Sequence, residues 1–298
     1  MMKMTRFPAA LAAAFCLAAC ALALAAGGAS AGTPGPSAHG APTPLPSPED
    51  LLAAVRRQFR SHRPPPPYEV YTLVRTQQTN YGQPDYPNSY TKHYWYRSSD
   101  HAALVRRTTD LGFVGPLEFE RPLFNSDRDP GPPTADIFEP APLHTLAPDF
   151  VPTPEGTLPP IIATVHARGE FDYRVQSVAR EGSLIHLVLE PRRDPDRNRL
   201  RALWVDANTL DLVKVVATDK LFIEHGPVFP VLFTIKFVMF DGIPTITHIH
   251  GVVGGGYDGD GATVDYDFND TSYPVTLPDW YFNPRTYAQH QGDAPDPQ

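Results

Sequence analysis

At 298 residues, with 33 acidic against 25 basic side chains and a net charge of −8, the chain is long enough to bury a core. It is also too acidic to suit DNA, RNA or an anionic membrane surface as its main partner. Both cysteines, Cys16 and Cys20, lie in the first 20 residues, so the remainder has no disulfide, thiolate nucleophile or cysteine metal site.

The chain opens as an export signal. Lys3 and Arg6 precede a run from Phe7 to Ala26 that is nearly all Ala and Leu, and Ala29-Ser30-Ala31 places small residues where a signal peptidase reads. Residues 1–31 are therefore expected to be removed. That leaves 23 basic against 33 acidic side chains, a charge of −10. Leu17-Ala18-Ala19-Cys20 competes as a lipobox, which would make residues 1–19 the leader and Cys20 a lipidated first residue. Against it, the apolar run continues through Ala26. The expected location is the periplasm or beyond, or the membrane surface as a lipoprotein, with no transmembrane segment apart from the signal.

Residues 32–46 are rich in Pro, Ala, Gly and Ser and carry no charge, the composition of a disordered spacer. The folded domain is expected over 47–284, with a flexible tail at 285–298. Ser47-Pro48-Glu49-Asp50 is a helix start: a capping hydroxyl, a proline whose missing N–H costs nothing there, and two acids in the first turn. Leu51, Leu52, Val55 and Phe59 share one face of that helix, and Pro64 to Pro67 end it.

Strands are expected at Tyr68–Gln77, Tyr90–Arg97 and Ala102–Arg107. Leu111 to Pro160 is rich in proline and aperiodic, and reads as a lid or covering arm. The second half is a meander: Ile161–His166, Phe171–Arg180, Ser183–Pro191, Arg199–Asp206, Leu210–Asp219, Val228–Phe240, Ile243–Val253 and Thr263–Asp270. The fold class is therefore mainly β, a curved or closed antiparallel sheet with an N-terminal amphipathic helix and a long covering loop.

Asp241-Gly242 between two such runs is a two-residue hairpin turn. Regular pairing from it sets Phe237 opposite Ile246, Ile235 opposite His248 and Phe233 opposite His250. Phe233, Ile235, Phe237, Ile246, His248 and His250 then share one apolar face, and these six are the expected lining of a hydrophobic site. Two histidines at i and i+2 can also ligate one metal ion, but a third ligand (His166, His186 or His225) would come only through the fold. Partner-satisfied imidazoles at the edge of an apolar cavity are the reading adopted, and no cofactor is expected.

Other patterns point away from catalysis. Asp258-Gly259-Asp260-Gly261 lacks the spaced ligands of a calcium loop. There is no Gly-x-Ser-x-Gly elbow, no His-Glu-x-x-His and no Ser-x-x-Lys near a suitable partner. Tyr90, Tyr94, Trp95 and Tyr96 read as strand packing rather than a sugar platform. The expected activity is binding rather than catalysis.

Arg201-Ala202-Leu203-Trp204-Val205-Asp206-Ala207-Asn208-Thr209-Leu210, then Val213-Lys214-Val215, resembles a strand–turn–strand of the LolA-like superfamily. These are periplasmic lipoprotein carriers and related outer-membrane lipoprotein-sorting proteins. The hairpin from Tyr173 to Pro191 is similar too, as are Tyr266-Asp267-Phe268-Asn269 and Leu277-Pro278-Asp279-Trp280-Tyr281-Phe282. The resemblance implies an unclosed antiparallel barrel with helices or loops plugging its concave side, which in the carriers shelters acyl chains. It implies an acyl chain or hydrophobic small molecule as partner. If the sheet is instead filled by its own helix and the Leu111 to Pro160 arm, the chain reads as an envelope scaffold or protein-interaction module with an envelope protein as partner. No acyl-handling residue of the carriers maps onto this sequence, and the proline-rich stretch stands where covering helices are expected.

Overall fold

The computed structural model describes residues 46–62, 65–78, 89–109, 112–120, 130–139, 172–222, 228–253 and 263–290. The leader, Cys20, the spacer up to Leu45 and the strand expected at Ile161–His166 lie outside these residues. No described helix is long and apolar enough to cross a membrane.

Among the described residues the fold is one antiparallel sheet of eleven strands: β1 (Tyr68–Gln78), β2 (Tyr90–Arg97), β3 (Ala102–Thr109), β4 (Val114–Glu120), β5 (Tyr173–Glu181), β6 (Leu184–Pro191), β7 (Leu200–Asp206), β8 (Leu212–Phe222), β9 (Val228–Phe240), β10 (Ile243–Val253) and β11 (Thr263–Ser272). Their order is β4-β3-β2-β1-β11-β10-β9-β8-β7-β6-β5, so β4 and β5 are edges and the sheet is left unclosed. Sequence neighbours pair throughout except β4 and β5, and β11 pairs with both β10 and β1, joining the two runs of strands.

β4 departs from expectation. Val114–Glu120 falls inside the stretch read as an irregular arm, yet it pairs with β3. Gly115 and Pro116 hide its alternation, and as an edge strand it tolerates a proline that lacks a donor. Leu117 and Phe119 pack outward beside Leu104 and Trp95.

One helix, α1 (Pro48–Ser61), covers the inner face. Ser47 Oγ accepts from the Asp50 amide at 3.2 Å, and Pro48 opens the first turn. Leu51, Leu52, Val55 and Phe59 are buried in a single cluster that runs from Val105 on β3 to Tyr173 on β5. Burial of each such side chain contributes about 2 kcal/mol, which the helix cannot realise without the sheet. Gln58 and His62 hold the far end, at 3.0 and 3.1 Å from Asp211 Oδ1.

The outer face of β1–β4 is closed separately. Val70, Trp95, Ala102 and Leu104 meet Leu277, Tyr281 and Phe282, which follow β11. Beyond them lie a short helix, α2 (Pro284–Tyr287), and a single 3-10 turn, where His290 stacks on Trp280 at 4.6 Å.

Candidate ligand-binding face

The inner face is built by alternation. On β9, Val231, Ile235 and Phe237 are buried and Phe233 is partly buried, while Leu232, Lys236 and Val238 look outward and are exposed. At the hairpin tip Asp241 and Gly242 both take positive φ, 50° and 75°, as the two-residue turn demands. Phe240 pairs with Ile243 and Phe237 with Ile246, as the turn predicts.

The register then shifts. Between Ile246 and His248 a bulge inserts Thr247, so that His248 pairs with Lys236, Ile249 with Ile235, His250 with Thr234 and Gly251 with Phe233. The expectation that His248 and His250 share the face of Ile235 is corrected by this bulge: both imidazoles stand on the outer face. Two causes favour the bulge. It brings Ile249 into the core in place of an imidazole, and it seats Gly251 under the Phe233 ring. A Cβ at Gly251 would lie 2.5 Å from Phe233 Cε1 and 2.8 Å from Val264 Cγ1, so the bare backbone is what admits the ring.

On the outer face the histidines find carboxylates. His248 Nδ1 lies 2.7 Å from Asp267 Oδ1, and His250 Nδ1 lies 2.7 Å from Asp265 Oδ1. Among the described residues, no group of three or more His, Cys, Asp or Glu is placed to hold a metal ion. His186 is elsewhere, stacked on Trp204 at 4.0 Å on β6 and β7. The signal for this arrangement was in the sequence: His248/His250 and Asp265/Asp267 are i, i+2 pairs of complementary type on adjacent strands, and Ile246 and Ile249 are spaced by three rather than two.

Phe233, Ile235, Phe237 and Ile246 do share one cluster. Their cover is the chain itself. The Phe59 ring meets Phe237 edge-on at 6.3 Å and Phe138 at 5.5 Å. Phe138 and Ile137 come from residues 130–139, a looped segment that lies across the face as a strap. Its Pro133 carbonyl accepts the Ile246 amide at 2.7 Å, Thr134 Oγ1 donates to Glu69 Oε1 at 2.5 Å, and Asp136 accepts from Arg60 of α1 at 2.8 Å.

Toward β1–β4 the same face turns polar, which periodicity alone did not reveal. Arg75 Nε donates to Tyr266 Oη at 3.4 Å and its Nη2 donates to Gln77 Oε1 at 2.6 Å. Lys92 Nζ is 2.7 Å from Glu120 Oε1, and Tyr94 Oη donates to Glu120 Oε2 at 3.2 Å. Arg75, Lys92 and Arg107 lie 5.6, 5.4 and 4.3 Å from the Tyr90 ring centroid. Tyr71 and Tyr94 stack at 4.8 Å, and Tyr94, Trp95 and Tyr96 are buried, which is the strand packing expected of those three. Burial pushes the Glu69 carboxyl up to about 8 against the hydrogen bonds from Thr134, so it is predominantly protonated at neutral pH.

No protein-family model matches the chain, and no curated protein is similar to it in sequence. Among solved structures, the chain is similar to the LolA superfamily protein NE2245 from Nitrosomonas europaea, at 13% identity and a TM-score of 0.42, over 77% of this chain and 96% of that one. It is also similar to a chain of the Pseudomonas aeruginosa MucA/MucB complex, at 12% identity and a TM-score of 0.17 over 75% of this chain and 93% of that one. A structure of MucB in complex with MucA(peri) aligns at 12% identity and a TM-score of 0.18, over 75% and 94%.

Proposed function

We propose that this is an exported, non-enzymatic binding protein whose inner sheet face takes an acyl chain or a similar hydrophobic ligand at the cell envelope. The observation that carries the reading is the nature of the cover. Ile235, Phe237 and Ile246 form an apolar floor. What lies on it, α1 and the 130–139 strap, is fastened by side-chain contacts and by isolated backbone hydrogen bonds such as that from the Ile246 amide to the Pro133 carbonyl, rather than by a β-ladder. Such a cover exchanges for a ligand without breaking the sheet. Apolar burial at about 25 cal/mol per Å² supplies the affinity. The cations beside Tyr90 and Tyr266 suit the polar end of an amphiphile.

Phe233 is the residue to test, because it is only partly buried and sits where the apolar and polar halves meet. Purified protein is expected to take up a fluorescent fatty acid, and Phe233→Ser to weaken uptake about tenfold while the variant stays folded. A folded wild-type protein that takes up none, and whose native mass carries no lipid, would remove this reading.

The second reading is an envelope scaffold or protein-interaction module with a self-filled sheet. The interlocked rings of Phe59, Phe138 and Phe237 favour it, since in this state the floor is occupied. A bare native mass together with capture of a defined envelope protein would select it.

A further inference from the structure

Glu69 has no role in either reading, yet it is an acidic side chain wholly buried beneath the strap. It lies on β1 opposite Tyr96. The carboxyl accepts from both the hydroxyl and the backbone N–H of Thr134, while Oε2 is buried with no hydrogen-bond partner. A carboxylate there would carry a charge that nothing on its open side solvates, whereas a carboxylic acid costs far less.

The position matters because of what Thr134 belongs to. The strap touches the sheet at Glu69 and, one residue earlier, at Ile246, whose amide donates to Pro133 O at 2.7 Å. It touches α1 through Asp136 to Arg60 and Phe138 to Phe59. Ile246 stands where the β10 register shifts, so the bulge and the strap are one construction.

We infer that Glu69 and Thr134 form a proton-controlled latch: the neutral acid holds the 130–139 strap over the inner face, and its ionisation lifts the strap and uncovers Phe59, Phe237 and Ile246. The other titratable groups facing Glu69 do not supply the switch. Tyr96 on β2 is pushed far above its ordinary range by burial, and its Oη is tied to His101 Nδ1 at 2.7 Å. Asp100 in the β2–β3 turn and Glu139 in the strap act on Tyr96 at longer range, and Arg60 of α1 is engaged by Asp136.

The direction follows from linkage. The closed form keeps its proton up to about pH 8, while an opened, hydrated Glu69 loses it near its ordinary 4.5. Between those values closure is therefore lost as pH rises, by about tenfold per pH unit, and below the lower value it is fully present.

Native-state hydrogen exchange tests this without any ligand, so it succeeds or fails independently of lipid binding. After correction for intrinsic exchange, protection of the Ile246 amide is expected to fall from pH 5 to 8 and then level off. Protection of the Leu187 amide in the β6 ladder is expected to hold. Glu69→Gln, which mimics the neutral acid, should flatten the Ile246 profile. Thr134→Val should lower Ile246 protection at every pH, and serves if Glu69→Gln does not fold. A flat wild-type profile, a parallel loss at Leu187, an unchanged slope in Glu69→Gln or full protection in Thr134→Val would each overturn the latch.

Discussion

The two halves of the inner face follow one alternation and close in opposite ways. Over β5–β10 the inward side chains are mainly aliphatic and aromatic, the buried Arg199–Asp219 pair excepted, and the amphipathic helix α1 covers them. Over β1–β3 the inward row contains Arg75, Lys92 and Arg107, whose stems run along the sheet while their charges lie beside Tyr90, Tyr94 and Tyr266. The lesson is that a strand face can be inward without being apolar, provided each cation meets a ring or a carboxylate. The two halves should accordingly fail by different mechanisms, one by cavity and one by charge.

The largest effect is expected in the apolar half. Phe237→Ala removes the ring that meets Phe59 and should cost about 3–5 kcal/mol, read as a lower urea midpoint with little change in slope. A loss below 1 kcal/mol would mean that α1 collapses to fill the gap, and that the apolar half is looser than its packing implies.

In the polar half, Glu120→Ala removes the carboxylate from Lys92 and Tyr94. Breaking a pair this buried should cost about 3 kcal/mol, and Glu120→Gln should recover part of it by keeping an acceptor for Tyr94. Glu120→Gln as stable as the wild-type protein would show that charge does not govern this half.

The smallest effect is expected at the border. Gly251→Ala should cost about 1–3 kcal/mol, because Phe233 and Val264 must both give way to the new methyl group. Thermal unfolding measures the loss. A crystal structure of the variant should show the Phe233 ring displaced toward Tyr266; an unmoved ring with unchanged stability would refute the close approach.

Much of the architecture was legible because it rests on local chemistry. The start of α1, its buried stripe, the hairpin at Asp241-Gly242 and the bounds of β9 and β10 all follow from capping, periodicity and turn preference. β4 was not legible, since Gly115 and Pro116 broke its pattern and only pairing with β3 shows it to be a strand. The candidate site divided in the same way. Phe233, Ile235, Phe237 and Ile246 share a face as alternation requires, whereas His248 and His250 were misplaced by assuming an unbroken ladder.

By itself, then, the order of residues determined where α1 and most of the described strands lie, which face of α1 and of β9 is buried, and that the chain is mainly antiparallel β. Tertiary structure alone decided the bulge at Thr247, the filling of the inner face by α1 and the strap, and the burial of Glu69 against Thr134. The reason is physical: a turn or cap is settled by neighbours along the chain, but a register shift or a buried acid is settled by the free energy of contacts between residues far apart in sequence.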